Sequence, residues 1–206
     1  MEKFARLEAT ACPLPLANVD TDQLIPARFM SQPRAAGYGR FLLHDLRHPG
    51  EGKPSAVPSL DDPACAGARI LVARRNFGAG SSREAAVYAL VDAGFRCVIA
   101  PSFGDIFASN AVNNGLLPAR VTDEEAERLL AMLPAPLIVD LEAGVILGAG
   151  EPITFAIDPV WRLKLLNGWD DLDLTMSHAP AIAAFAAEYT RVRPWAVPDL
   201  GDGTSV

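Results

Sequence analysis

The sequence predicts an α/β fold, and three observations carry that prediction. Two short apolar runs, Ile70–Ala73 and Cys97–Ala100, read as buried strands. Between them lies a glycine-bearing turn, then a helical stretch in which Ala86, Ala89, Leu90 and Ala93 recur at i, i+3, i+4 and i+7. That small-residue face suits close packing on a sheet, and the strand–turn–helix–strand order suggests a parallel crossover.

The remaining elements follow in chain order. The first helix runs from about Ser81 to Ala93 and is stopped by Gly94. Gly104 to Asn114 reads as a helix ended by Gly115, with Leu116 and Leu117 opening a strand. Thr122 and Glu125 have capping-box spacing and start a helix ending near Leu133. Leu137–Leu141 and Val145–Leu147 read as hairpin arms around Glu142-Ala143-Gly144, and Pro152–Ile157 as another strand. Asp158-Pro159 opens a short helix that Asn167-Gly168 closes, and a last helix spans about Ala179 to Tyr189. The chain reads as a single domain over residues 1–206, with mobile loops near 26–40 and 47–67.

Composition narrows the function classes. A chain of 206 residues, half of them hydrophobic, buries a core without disulfide or metal staples. Its 18 basic and 25 acidic residues give a net charge of −7, which offers no attraction to a phosphate backbone, so no nucleic-acid partner is expected. The three cysteines, Cys12, Cys65 and Cys97, are scattered and make neither a disulfide framework nor a metal-binding spacing. The first residues carry Glu2, Lys3, Arg6 and Glu8 with no apolar signal-peptide core, and no run approaches a membrane span. A soluble, cytoplasmic protein without membrane contact is the expectation.

The chemistry concentrates in Asn76-Phe-Gly-Ala-Gly-Ser-Ser-Arg-Glu84, where a strand hands over to a helix. Such junctions bind anions through backbone N–H groups. Gly78 and Gly80 begin a dinucleotide fingerprint, but Arg83 occupies the position of its third glycine, and no Gly-Lys-Ser/Thr follows for a P-loop. Ser81 and Glu84 have capping-box spacing, so a plain helix start accounts for two of these residues. It does not account for Arg83, whose charge opposes the dipole of a first helical turn. An arginine beside two hydroxyls and backbone donors matches a carboxylate. A second segment, Asn18-Val-Asp-Thr-Asp-Gln-Leu-Ile-Pro26, reads by itself as a turn with Asx and Thr caps before a strand.

Together these segments resemble the small subunits of isopropylmalate dehydratases, which correspond to the swivelling domain of the aconitase superfamily. Asn18–Pro26 is similar to that family's N-terminal signature, and Arg75-Asn-Phe-Gly-Ala-Gly-Ser-Ser-Arg-Glu84 to its active-site loop. Ala100-Pro-Ser-Phe-Gly-Asp-Ile-Phe107, Asn114-Gly-Leu-Leu-Pro118 and Leu166-Asn-Gly-Trp-Asp-Asp-Leu172 continue the likeness in order.

The resemblance implies a swivelling β/β/α three-layer fold and half of an active site. It implies a large partner subunit, in a heterodimer or heterotetramer, that carries a [4Fe–4S] cluster, while this chain holds no cofactor or metal. The implied reaction interconverts 2- and 3-isopropylmalate, a small dicarboxylate, by dehydration and rehydration in leucine biosynthesis. Ser81 is then the catalytic base, with Ser82, Arg83 and Gly80 binding substrate. The loop at Pro26–Arg40 would close over the substrate, offering Arg28 and Arg34 to its distal part, although solvated loop arginines are the plainer reading. Asp20 and Asp22 would position that loop.

The chain departs from the family pattern at Ala79, where Cys is common, at Ala85, Val87 and Tyr88, where His-Ala-Pro-Trp is common over 85–88, and at Arg74. These departures leave open a paralogue for citramalate, dimethylmalate or a homoaconitate-like acid, or a non-catalytic anion-binding module.

Overall fold

The strand at the centre of the molecule is one that has no strong sequence signal. The computed structural model describes residues 1–196. It contains seven strands: β1 (Arg6–Leu14), β2 (Ile70–Ala73), β3 (Cys97–Ala100), β4 (Leu117–Arg120), β5 (Ala135–Asp140), β6 (Val145–Leu147) and β7 (Ile153–Thr154). They form one sheet in the order β4-β3-β2-β1-β5-β6-β7. β1 pairs in parallel with β2 through Ala11–Leu14 and antiparallel with β5 through Arg6–Ala11. It therefore joins a parallel half, β1 to β4, to an antiparallel half, β5 to β7. The mixed α/β architecture agrees with the expected fold class.

Alternation along the strands builds two cores, one on each face. Ile70, Val72, Cys97 and Ile99 join one cluster, whereas Leu71, Ala73, Val98 and Ala100 join the other. All eight are fully buried, which is why β2 and β3 read as uninterrupted apolar runs. The helices are α1 (Thr21–Leu24), α2 (His44–Arg47), α3 (Glu84–Asp92), α4 (Asp105–Asn113), α5 (Asp123–Met132), α6 (Pro159–Asn167), α7 (Asp171–Met176) and α8 (Ala179–Val192). Residues of α5 and α6 enter the first cluster together with β5, β6 and β7, and residues of α1 and α3 enter the second.

Local signals fix several boundaries. Thr122 and Glu125 make the expected capping box at α5. Asp158 accepts hydrogen bonds from the N–H groups of Val160 and Trp161, and Gly168 closes α6 in the left-handed conformation. Two expectations are corrected. The helix expected from Ser81 starts at Glu84, because Arg83 takes an extended N-cap conformation. The strand expected after Asp22 is instead the short α1, capped reciprocally by Asp20 and Gln23.

The described residues fall into two compact units, one spanning Met1–Asp170 and one beginning at Asp171. In the second unit α7 and α8 lead to a 3₁₀ turn at Pro194–Ala196. Among the described residues no helix is long and apolar enough to cross a membrane.

Candidate active site

Three of the sequence motifs interlock where β1, β2 and β3 end. Gly78 N–H donates to the Val19 carbonyl at 2.7 Å, and Thr21 N–H to the Ala79 carbonyl at 2.9 Å. Phe77 N–H donates to the Ser102 carbonyl at 3.0 Å, and Gly104 N–H to the Phe77 carbonyl at 2.9 Å. The loop from Arg75 to Arg83 is thus stitched on one side to the Asn18–Leu24 segment and on the other to Ser102–Phe107. Asn18 and Asn76 both have positive φ, 57° and 61°, and the Asn76 amide donates to Asn18 Oδ1 at 2.9 Å. Asparagine tolerates that backbone region better than other side-chain-bearing residues.

Apolar packing locks the centre of the clasp. Phe77 is fully buried and meets Phe107 edge-on at 5.3 Å and Phe103 edge-on at 6.3 Å. Gly78 has φ of 73°, and a Cβ there would lie 2.2 Å from Phe107 Cγ. A Cβ on Gly104 would lie 2.5 Å from the Gly78 carbonyl oxygen. Neither position accepts a side chain without breaking the clasp.

The residues the clasp presents are Gly80, Ser81, Ser82 and Arg83. Ser81 and Ser82 are exposed and lie outside the helix. Ser81 is not a helix cap: its carbonyl accepts from Thr21 Oγ1 at 3.0 Å and from Arg83 N–H at 2.7 Å. Its hydroxyl has no hydrogen-bond partner among the described residues. The N–H groups of Gly78 and Arg83 are committed to carbonyls. Those of Gly80, Ser81 and Ser82 donate to no group among the described residues, so three free main-chain donors cluster at one turn. Beside them is a cleft of about 180 Å³ lined by Gly78, Gly80, Ser81, Gly104, Asp105, Ile106 and Phe107.

Arg83 has a partner that sequence reasoning missed. Its guanidinium bonds the Asp22 carboxylate across the two motifs, with the Arg83 side chain 20% exposed. The signal was available in Asp20-Thr-Asp-Gln23: an Asp20/Gln23 capping box makes Asp20 the cap and frees Asp22 in the first turn. Asp20 holds the start of α1, while Asp22 holds an arginine.

Other predicted residues are placed as follows. Arg34 is not brought to the serine turn: it bonds Asp92 at 3.0 Å in the last turn of α3 and stacks 3.5 Å over the Tyr88 ring. Arg28 pairs with Asp45, whose carboxyl it holds down at about 2. Glu84, left without the family's neighbouring ring by Ala85, accepts from Asn114 Nδ2 at 2.9 Å and contacts the Tyr88 hydroxyl, whose pKa is raised by burial and by that contact. Arg74 forks onto Glu127 at 2.6 and 3.0 Å and donates to the Pro15 carbonyl at 2.8 Å, tying β2 to α5. The cysteines do not fit an iron–sulfur cluster. Cys12 and Cys65 belong to one core and Cys97 to the other, and burial pushes the Cys12 and Cys97 thiols up.

Comparison with known proteins identifies the family. Residues 1–124 match the aconitase C-terminal domain model, and residues 171–199 match the C-terminal domain model of the 3-isopropylmalate dehydratase small subunit. The chain is 45% identical over 201 residues to the 3-isopropylmalate dehydratase small subunit of Agrobacterium fabrum, covering 95% of this chain and all of that protein. It is 44% identical over 200 residues to the small subunit of Paramagnetospirillum magneticum, with the same coverage. Among solved structures, 3-isopropylmalate dehydratase (leuD) from Methanocaldococcus jannaschii shares the fold, with a TM-score of 0.64 and 23% identity over 87% of this chain and 98% of that one. With 45% identity across nearly its whole length and the clasped motifs in place, the chain belongs to the 3-isopropylmalate dehydratase small subunit family.

Proposed function

We propose that this chain is the small subunit of a heteromeric hydro-lyase that interconverts 2- and 3-isopropylmalate, supplying the base and a carboxylate site. One observation carries the reading: an exposed serine hydroxyl stands beside three uncommitted main-chain N–H groups and an anchored arginine. In this reading Ser81, as the alkoxide, takes the proton from the carbon next to the hydroxyl-bearing one. The electron pair left on carbon forms the alkene as the C–O bond breaks. Delivering a proton to the carbon that lost the hydroxyl, while water adds at the carbon that lost its proton, gives the isomer.

A serine alkoxide at neutral pH needs strong local stabilisation. The amides of Gly80, Ser81 and Ser82 are free to supply it as preorganised donors. Ser82 and Arg83 bind a substrate carboxylate, and Asp22 keeps the Arg83 fork oriented toward it. Arg34, engaged with Asp92 and Tyr88, has no part in this set. We assign the departure of the hydroxyl to a large partner subunit carrying a [4Fe–4S] cluster, since among the described residues no group of His, Cys, Asp or Glu could hold a metal ion.

Purified alone, the chain should turn over no isopropylmalate; mixed with a cluster-loaded large subunit it should show dehydratase activity. Arg83→Ala in the mixture should lower kcat/KM by about a hundredfold or more. Turnover by the isolated chain would refute the shared site.

A further inference from the structure

Helix α4 carries an apolar residue that its fold does not require. Phe107, Ala108, Ala111 and Val112 are buried and pack the helix onto the sheet. The outward side is polar, with Asp105, Ser109, Asn110 and Asn113, except at Ile106. That isoleucine is 54% exposed in the first helical turn, where a β-branched residue gives the helix no advantage. A single exposed isoleucine is unremarkable on most surfaces, but this one lines the same cleft as Ser81.

The rest of that cleft is nearly bare of apolar side chains. Gly78, Gly80 and Gly104 contribute backbone, and Ser81 and Asp105 are polar. Phe107 is 3% exposed and held by the contacts to Phe77 and Phe103. Ile106 is therefore the one accessible apolar side chain on this wall.

We infer that Ile106 is a specificity-determining residue that receives the alkyl branch of the substrate. The inference rests on the proposed function and adds the substrate feature this wall recognises. In 3-isopropylmalate the branch sits on a reacting carbon, the one whose proton Ser81 removes. The branch is then one bond away from the carbon that faces the Ser81 oxygen and must be accommodated by the walls around it. Ile106 removes water from that branch and leaves an unbranched acid without a matching contact.

The test uses the reconstituted complex and two substrates, 3-isopropylmalate and 3-methylmalate, the latter measured as a competitive inhibitor if its turnover is too slow. Ile106→Ala should lower kcat/KM for the isopropyl compound about tenfold and change the methyl compound less than twofold. Ile106→Val should recover most of the loss, and the affinity between the subunits should be unchanged. Equal losses on both compounds, no loss on either, or a weakened complex would overturn the inference, the last by making Ile106 a partner contact. Wild-type complex that fails to turn over isopropylmalate would refute the proposed function itself, which separates the two failures.

Discussion

The clasp around Phe77 and the segment from Pro26 to Gly67 both border α3, yet they are held by different physics. The clasp is fixed by main-chain hydrogen bonds among three motifs and by glycines whose missing side chains make room for Phe107 and for backbone. The segment is a series of single 3₁₀ turns and the short α2. Buried Tyr38, Leu42, Leu43 and Val57 anchor it, while exposed ion pairs, Arg28–Asp45, Arg34–Asp92 and Arg47–Asp61, line its surface. Main-chain bonds set positions to fractions of an ångström and tolerate little change, whereas surface ion pairs each contribute little and rearrange. A catalytic hydroxyl needs the first kind of support. The arginines on the second kind of surface are poor candidates for fixed contacts.

Substitutions can break this contrast, beginning with the largest effect. Gly78→Ala places a methyl on Phe107 at a positive φ, and Gly104→Ala places one against the Gly78 carbonyl. Each should destabilise the fold by roughly 2–5 kcal/mol, read as a lowered thermal midpoint or loss of soluble protein. A fully stable Gly78→Ala would show that the clasp is loosely packed.

Asp22→Ala should leave stability nearly unchanged, because the pair sits at the surface with Asp22 59% exposed. It should still lower kcat/KM of the reconstituted complex by about ten- to a hundredfold, since an untethered guanidinium no longer meets the carboxylate in a fixed geometry. Arg34→Ala should do neither, costing below about 1 kcal/mol through its exposed pair and ring contact, with kcat/KM within about twofold.

The smallest expected effect is electrostatic. Arg28 holds the Asp45 carboxyl at about 2, so this pair adds stability above the ordinary carboxylate range and loses it as pH falls toward 2. In Arg28→Ala, the Asp45 resonance followed by NMR should titrate near its ordinary value, about 3.9.

Much of this architecture was legible in the sequence, for identifiable reasons. β2 and β3 are buried on both faces and so read as continuous apolar runs. The caps at Thr122 and Asp158 announce α5 and α6. β1 was not legible. Arg-Leu-Glu-Ala-Thr-Ala-Cys-Pro-Leu has no valine or isoleucine and carries Glu8 and Pro13. It is a strand because β2 and β5 pair with it from both sides, a long-range cause that no local window contains.

The same division holds at the site. Ser81, Ser82 and Arg83 were visible as residue types, but their setting was not. The loop between Phe77 and Arg83 is shaped by bonds to Val19, Thr21 and Ser102, so the helix starts three residues later than its spacing suggests. The pairing of Arg34 with Asp92 depends on where α3 ends, which no local window around Arg34 contains.

The central claim is that the clasp exists to present the Ser81 oxygen as a base. The most direct measurement compares kcat of wild type and Ser81→Ala in the reconstituted complex, with the thermal midpoint of each as a control for folding. The account predicts a loss of at least about a hundredfold at an unchanged midpoint, because the exposed hydroxyl contributes nothing to packing. Equal turnover by the two proteins would contradict it and place the base elsewhere.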